Sequence, residues 1–241
     1  MNNQSEKIIV ALDVPELSQA EQLVNELKPE IKIFKVGLEL LYSAGPKRVI
    51  SVLGRNQDLF VDVKLYDIPH TVAEAIRPLV QPGVRIINLH CLGGREMIYQ
   101  AVAAVHQRAA ELAINPPLVI GVTILTSLTN DSLLKIGFHQ TAAELVKRLS
   151  LLAKESGLDG VVCSPQEIEI VHQTCGSNFL VIVPGIRPRW AVKDDQKRVV
   201  TPREAIELGA DYLVIGRPIT RPPLEIGSSR AALQKILAEI T

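Results

Sequence analysis

In the segment VDVKLYDIPHT, Asp62, Lys64 and Asp67 set an acid, a base and a second acid at spacings of two and three residues. An ammonium held between carboxylates can steady a developing negative charge and then surrender a proton, because neighbouring charges fix its ionisation. Strand side chains alternate faces, so Phe60, Asp62 and Lys64 share one face while Leu59, Val61, Val63 and Leu65 take the other. The same parity groups Ile9, Ala11 and Asp13 in KIIVALDV, and Ile33, Lys35 and Gly37 in IKIFKVGL. An ion pair closing the edge of a sheet explains any one of these charges alone. Asp13, Lys35, Asp62 and Lys64 converging from three strands favour a substrate-handling cluster. Asp67 lies beyond the strand, since Pro69 biases Ile68 away from the helical region, and its direction is not fixed by parity.

Positioning these residues is the work of short Val- and Ile-rich runs, starting at Lys7, Ile31, Asp58, Val84, Pro117, Asp159, Phe179 and Asp211. Between them lie segments such as PELSQAEQLVNELK and TAAELVKRLSLLAKESG, with apolar residues three and four apart. Eight alternations in 241 residues predict an α/β fold, a single-domain (β/α)8 TIM barrel spanning 1–241, with its site at the strands' C-terminal ends. An open doubly wound sheet is the alternative, but its first strand usually enters a glycine-rich phosphate turn, and here it enters LDVPE. Ser156 and Gly157 are a helix stop, and Thr201 with Pro202 a helix start.

The seventh and eighth runs end in VPGIRPRW and VIGRPIT. Gly185 and Gly216 let backbone N–H groups approach an anion, and Arg187 and Arg217 can grip phosphate oxygens in pairs. Simple turns with solvated arginines are the bland reading, but loops after strands 7 and 8 are the usual phosphate site of this barrel. The polar stretch from Arg187 to Thr201 reads as a lid, with Gln196 able to reach a bound phosphate. His90, His106, His139 and His172 lack metal-ligand spacing and are expected in surface or packing roles; Cys163 is expected in inert core.

Lysine plus arginine (26) balances aspartate plus glutamate (26), so no global basic field exists for nucleic acid, and any anion must be gripped locally. The three cysteines are an odd number without a CxxC pair, which fits a reducing, cytoplasmic setting better than a disulfide framework. The N-terminus lacks a signal-peptide pattern, and the uncharged stretch from Leu112 to Asn130, which contains Asn115, Pro116, Pro117 and several Thr and Ser, does not read as a membrane span. Nothing calls for a bound cofactor.

With these residues in view, the chain resembles the orotidine 5′-phosphate decarboxylase family, which makes uridine 5′-monophosphate in pyrimidine biosynthesis. The segment VDVKLYDIPHT is similar to that family's D-x-K-x-x-D-I-P-x-T signature, and the likeness extends from ALDV through FKVGLEL, VTILTS, VPGIRP and DQKRVVTPREAI to GADYLVIGRPIT. The resemblance implies a barrel homodimer that decarboxylates its nucleotide without cofactor or metal. It implies that Asp62, Lys64 and Asp67 form the catalytic network, with Asp67 and Thr71 supplied to the neighbouring subunit. Asp13 and Lys35 would bind the ribose hydroxyls. Thr126 and Ser127 would contact the nucleotide, Ser127 at the pyrimidine amide, and Pro184 would line the base pocket. Arg187, Gln196, Gly216 and Arg217 would hold the 5′-phosphate, whereas Arg189 and Trp190 look like variable lid sequence.

Two other readings stay open on sequence. A metal-dependent enzyme acting on a keto-sugar phosphate also carries D-x-K-x-x-D on a third barrel strand, but there a metal-binding carboxylate is expected where this chain has Lys35, and the I-P-x-T continuation is lacking. A non-enzymatic nucleotide sensor would keep the arginines but have little need of the whole acid-base row.

Overall fold

The computed structural model describes residues 4–191 and 200–240. Eight strands, β1 (Ile8–Ala11), β2 (Ile33–Gly37), β3 (Asp58–Leu65), β4 (Val84–His90), β5 (Leu118–Val122), β6 (Gly160–Val162), β7 (Leu180–Pro184) and β8 (Tyr212–Ile215), pair in chain order as a closed barrel. All eight ladders are parallel, and β8 closes on β1 with Ile8 opposite Leu213 and Ile9 opposite Val214. Closure removes both sheet edges, so the open-sheet alternative does not hold. Each predicted apolar run supplies one strand.

Two packed layers follow from the strand alternation. Ile9, Ala11, Ile33, Phe60, Ile86, Ile120, Ile182 and Val214 meet inside the barrel as a separate cluster. Their neighbours Val10, Phe34, Val61, Ile87 and Leu213 face outward into the larger core beneath the helices. The inner cluster is the floor of the site: Lys35 and Asp62 stand one alternation further along the strands from Ile33 and Phe60. Phe60 is 2% exposed, and truncating a buried aromatic of this kind to alanine costs about 3–5 kcal/mol.

The helices begin where their capping residues dictate. The helix Ala142–Glu155 opens on a capping box between Thr141 and Glu144, and the helix Pro202–Glu207 opens on the same device between Thr201 and Glu204, with Pro202 in its first turn. The first of these stops at Ser156, followed by Gly157 at φ +89°. The helix Pro69–Ile76 starts directly after Ile68, whose φ of −62° and ψ of 152° are extended. Cys91, Cys163 and Cys175 are buried and free of disulfides. Among the described residues no helix is long and apolar enough to cross a membrane.

Candidate active site

Lys35 on β2, Asp62 and Lys64 on β3, and Asp13 two residues beyond the end of β1 form a continuous row of alternating charge at the C-terminal rim. Lys35 Nζ lies 3.0 Å from Asp13 Oδ1 and 3.2 Å from Asp62 Oδ2, and Lys64 Nζ lies 2.5 Å from Asp62 Oδ1. The row runs from closed to open. Lys35 and Asp62 are buried, with side chains 10% and 11% exposed, while those of Lys64 and Asp13 are 34% and 52% exposed. Burial alone would push the Asp62 carboxyl up, but Lys35 and Lys64, with hydrogen bonds from Lys64 and Asn88, hold it below the usual carboxylate range. Burial likewise opposes charge on Lys35, yet Asp62 and Asp13 overcome it and raise its pKa. Both inner groups are therefore ionised at neutral pH.

Local backbone makes room for this row. A Cβ at Gly37 would stand 3.0 Å from Lys35 Nζ and 3.3 Å from Asp13 Oδ1, so a side chain there would press on the ion pair. On β3 the regular alternation expected from sequence breaks down. From Val61 to Leu65 the strand takes four residue steps, while β4 takes two, from Ile87 to Leu89. Lys64 occupies the left-handed region at φ +48° within this bulge. Its backbone N–H donates to Asn88 Oδ1 at 2.8 Å, and Asn88 Nδ2 donates to Asp62 Oδ1 at 2.7 Å.

Asn88 and His90 were not singled out as site residues, and both belong to this rim. His90 packs against Tyr66 with ring centroids 5.6 Å apart, and burial followed by the charge of Lys64 depresses its pKa. The expected packing role fits His90. It also suits His172, whose Nε2 lies 2.9 Å from the Gly209 carbonyl oxygen. The signal for Asn88 was available: it shares strand parity with Ile86, an inward position of the floor.

A second region lies after β7 and β8. Gly185 sits at φ +78°, a conformation that favours glycine, and turns the chain from half-buried Pro184 toward Arg187. Partial burial and the charge of Arg217 both lower the Arg187 pKa. Among the described residues neither is in an ion pair. Gly216 joins this corner to the row, since a Cβ there would lie 3.6 Å from Asp13 Oδ2. Gln196 lies outside the described residues. Trp190 packs on the core, with Lys235 Nζ 5.8 Å from its ring centroid. Arg189 likewise acts electrostatically on Glu204 and Glu239.

Thr126 and Ser127 are exposed on the loop after β5. Thr126 and Pro184 line a cavity of about 810 Å³ that also includes Leu125, Ser164 and Gly185 and is not lined by the charged row. Asp67 and Thr71 are exposed. Asp67 Oδ1 accepts the Ile68 N–H at 2.7 Å, and no ion pair links it to Lys64 among the described residues. The apolar side chains flanking it, Tyr66 and Ile68, are 61% and 66% exposed. Among the described residues no group of three or more His, Cys, Asp or Glu is placed to hold a metal ion.

Residues 6–231 match the family described as Orotidine 5′-phosphate decarboxylase / HUMPS family. The chain is 48% identical to the orotidine 5′-phosphate decarboxylase of Moorella thermoacetica, covering 96% of this chain and 92% of that protein. It is 46% identical to the enzyme of the same name from Trichlorobacter lovleyi, covering 97% and 96%. The crystal structure of orotidine 5′-phosphate decarboxylase from Lactobacillus acidophilus superposes with a TM-score of 0.84 at 34% identity, covering 98% of this chain and 99% of that one.

Proposed function

The chain belongs to the orotidine 5′-phosphate decarboxylase / HUMPS family and is a decarboxylase of pyrimidine biosynthesis, and from that premise we propose that Lys64, set in its row of acids, stabilises and protonates a carbanion at C6 of orotidine 5′-phosphate. The observation that carries this reading is the unbroken sequence Asp13, Lys35, Asp62, Lys64, with every neighbouring charge within 3.2 Å.

Loss of CO2 breaks the C6–carboxyl bond and leaves its electron pair on C6, in the ring plane, where the ring's π system delocalises it poorly. A cation must lie beside that pair. Lys64 is the outermost ammonium of the row and the only one of its two lysines with substantial exposure. It gives its proton to C6, forming uridine 5′-monophosphate, and regains one from water. Asp62, bonded to both lysines, orients the donor and would lie near the departing carboxylate. Asp13 and Lys35 take the ribose hydroxyls. Thr126, Ser127 and Pro184 receive the base, and Arg187, Gln196, Gly216 and Arg217 the 5′-phosphate.

One ammonium is not enough. Two unit charges about 4 Å apart interact by about 4 kcal/mol at an effective dielectric near 20, or roughly three decades of rate. Binding energy from the remote phosphate is the natural supplement, because it is available to desolvate and align the reacting end. Arg187 and Arg217, two mutually repelling cations, suit that task.

The exposed Asp67 between exposed Tyr66 and Ile68 supports a homodimer in which Asp67 and Thr71 complete the neighbouring site. Mixing Asp67→Ala with Lys64→Ala protein should then restore one intact site per heterodimer; confirmed heterodimers without recovered activity would remove the shared site.

The deciding assay is the absorbance loss of orotidine 5′-phosphate on adding purified protein, expected for the native chain and absent in Lys64→Ala. A silent native chain would overturn the assignment. Activity is expected to persist after exhaustive chelation; loss that a divalent metal restores would reinstate the metal-dependent reading.

A further inference from the structure

Along the inward face of β4 the residues are Ile86, Asn88 and His90. Ile86 is barrel floor, and an apolar residue at position 88 would extend it. Instead a carboxamide is buried there at 1% exposure, which is costly unless its hydrogen bonds are made. Its two bonds reach both sides of the β3 bulge: Asn88 Nδ2 donates to Asp62 Oδ1, and Asn88 Oδ1 accepts the Lys64 N–H. The orientation of the amide is forced, since a backbone N–H only donates and an ionised carboxylate only accepts. The bulge takes the Lys64 N–H out of the regular β3–β4 ladder, and Asn88 supplies the acceptor that the neighbouring backbone does not.

We propose that Asn88 is a positioning residue of the decarboxylation, holding Lys64 in its left-handed backbone conformation and sharing Asp62 so that the ammonium is aimed at the reacting carbon. The proposal rests on the reading of Lys64 as the proton donor. Asn88 acts through Lys64 and Asp62. The charged groups facing Asp62 are Lys35 from β2 and Lys64 from β3, with Asp13 across Lys35 and His90 beside Lys64. The only contact from β4 to the carboxylate among the described hydrogen bonds is the Asn88 amide.

Steady-state kinetics on Asn88→Ala and Asn88→Asp, with the native chain alongside, test this. Native activity comes first: without it the assignment of function falls, and the role of Asn88 falls with it. With native activity present, Asn88→Ala should lower kcat about 100-fold, the scale of a roughly 1 Å misplacement of a reacting group. KM and the affinity for uridine 5′-monophosphate by calorimetry should change by less than about 3-fold, because the ribose and phosphate contacts are untouched. Asn88→Asp keeps an acceptor for the Lys64 N–H but sets a second carboxyl against Asp62, so the acid limb of the kcat/KM pH profile should move upward. An unchanged kcat in Asn88→Ala, or a loss confined to KM, overturns the proposal. Should Asn88→Ala fail to fold, the near-isosteric Asn88→Asp decides: an acid limb at the native position rejects the role.

Discussion

The charged row on β1 to β3 and the arginine corner after β7 and β8 occupy the same rim but are assembled in opposite ways. In the row every charge already has an opposite neighbour, and the inner pair is sealed from water. In the corner, Arg187 and Arg217 repel one another and no described carboxylate relieves them. On the proposed reading the row is complete before substrate arrives, and the corner awaits the phosphate. In the proposed mechanism a preformed row would not have to reorganise as charge develops at C6, whereas the arginine corner would reserve its interaction energy for the phosphate.

Breaking the row at its outer end should give the largest effect. Lys64→Ala is expected to cost at least about four decades in kcat, more than 5 kcal/mol of barrier, while affinity for uridine 5′-monophosphate stays within about tenfold. Arg217→Ala should invert that pattern, weakening nucleotide affinity and lowering kcat/KM by about three decades. A kcat/KM unchanged in Arg217→Ala would end the division of labour between the two regions.

Lys35→Met probes the sealed part of the row. It leaves Asp13 and Asp62 without the cation between them, and removing one member of a buried pair costs about 3 kcal/mol. Urea denaturation at neutral pH reads this directly, and a loss below about 1 kcal/mol would mean that solvent already screens the pair.

The pH dependence of stability sharpens the same point. Lys35 keeps its proton to higher pH in the folded chain, so its stabilisation is complete below the ordinary value of 10.5 and fades as pH rises through the raised folded value. Asp62 contributes the opposite limb, complete above the ordinary value of 3.8 and fading as pH falls through its depressed folded value. Lys35→Met should therefore flatten the alkaline limb of a Tm-against-pH curve relative to the native chain. Parallel limbs in the two proteins would show that other groups set it.

Much of this was legible in the chain. Alternation alone put Ile9, Ile33 and Phe60 inside and Lys35 and Asp62 above them, because a strand has only two faces. The capping residue Thr201 marked its helix start, since its hydroxyl answers an orphan backbone donor. What escaped was anything that needs two strands at once. The β3 bulge is a mismatch of register between β3 and β4, and neither strand reveals it alone. Asn88 is one polar residue in an apolar run, and only its shared parity with the floor residue Ile86 points inward. His90 and Trp190 gained their surroundings from Tyr66 and Lys235, neighbours distant in sequence.

The left-handed backbone at Lys64 separates what is good for the molecule's durability from what is good for its chemistry. Holding a residue with a Cβ at φ +48° costs about 1 kcal/mol, a penalty that glycine escapes. Lys64→Gly should accordingly resist urea better than Lys64→Ala by about that amount, although neither has an ammonium to lose; equal stability would show that the bulge relaxes on its own. Glycine at this position would suit a chain that had only to stay folded; the lysine gives up that stability for an ammonium at the rim.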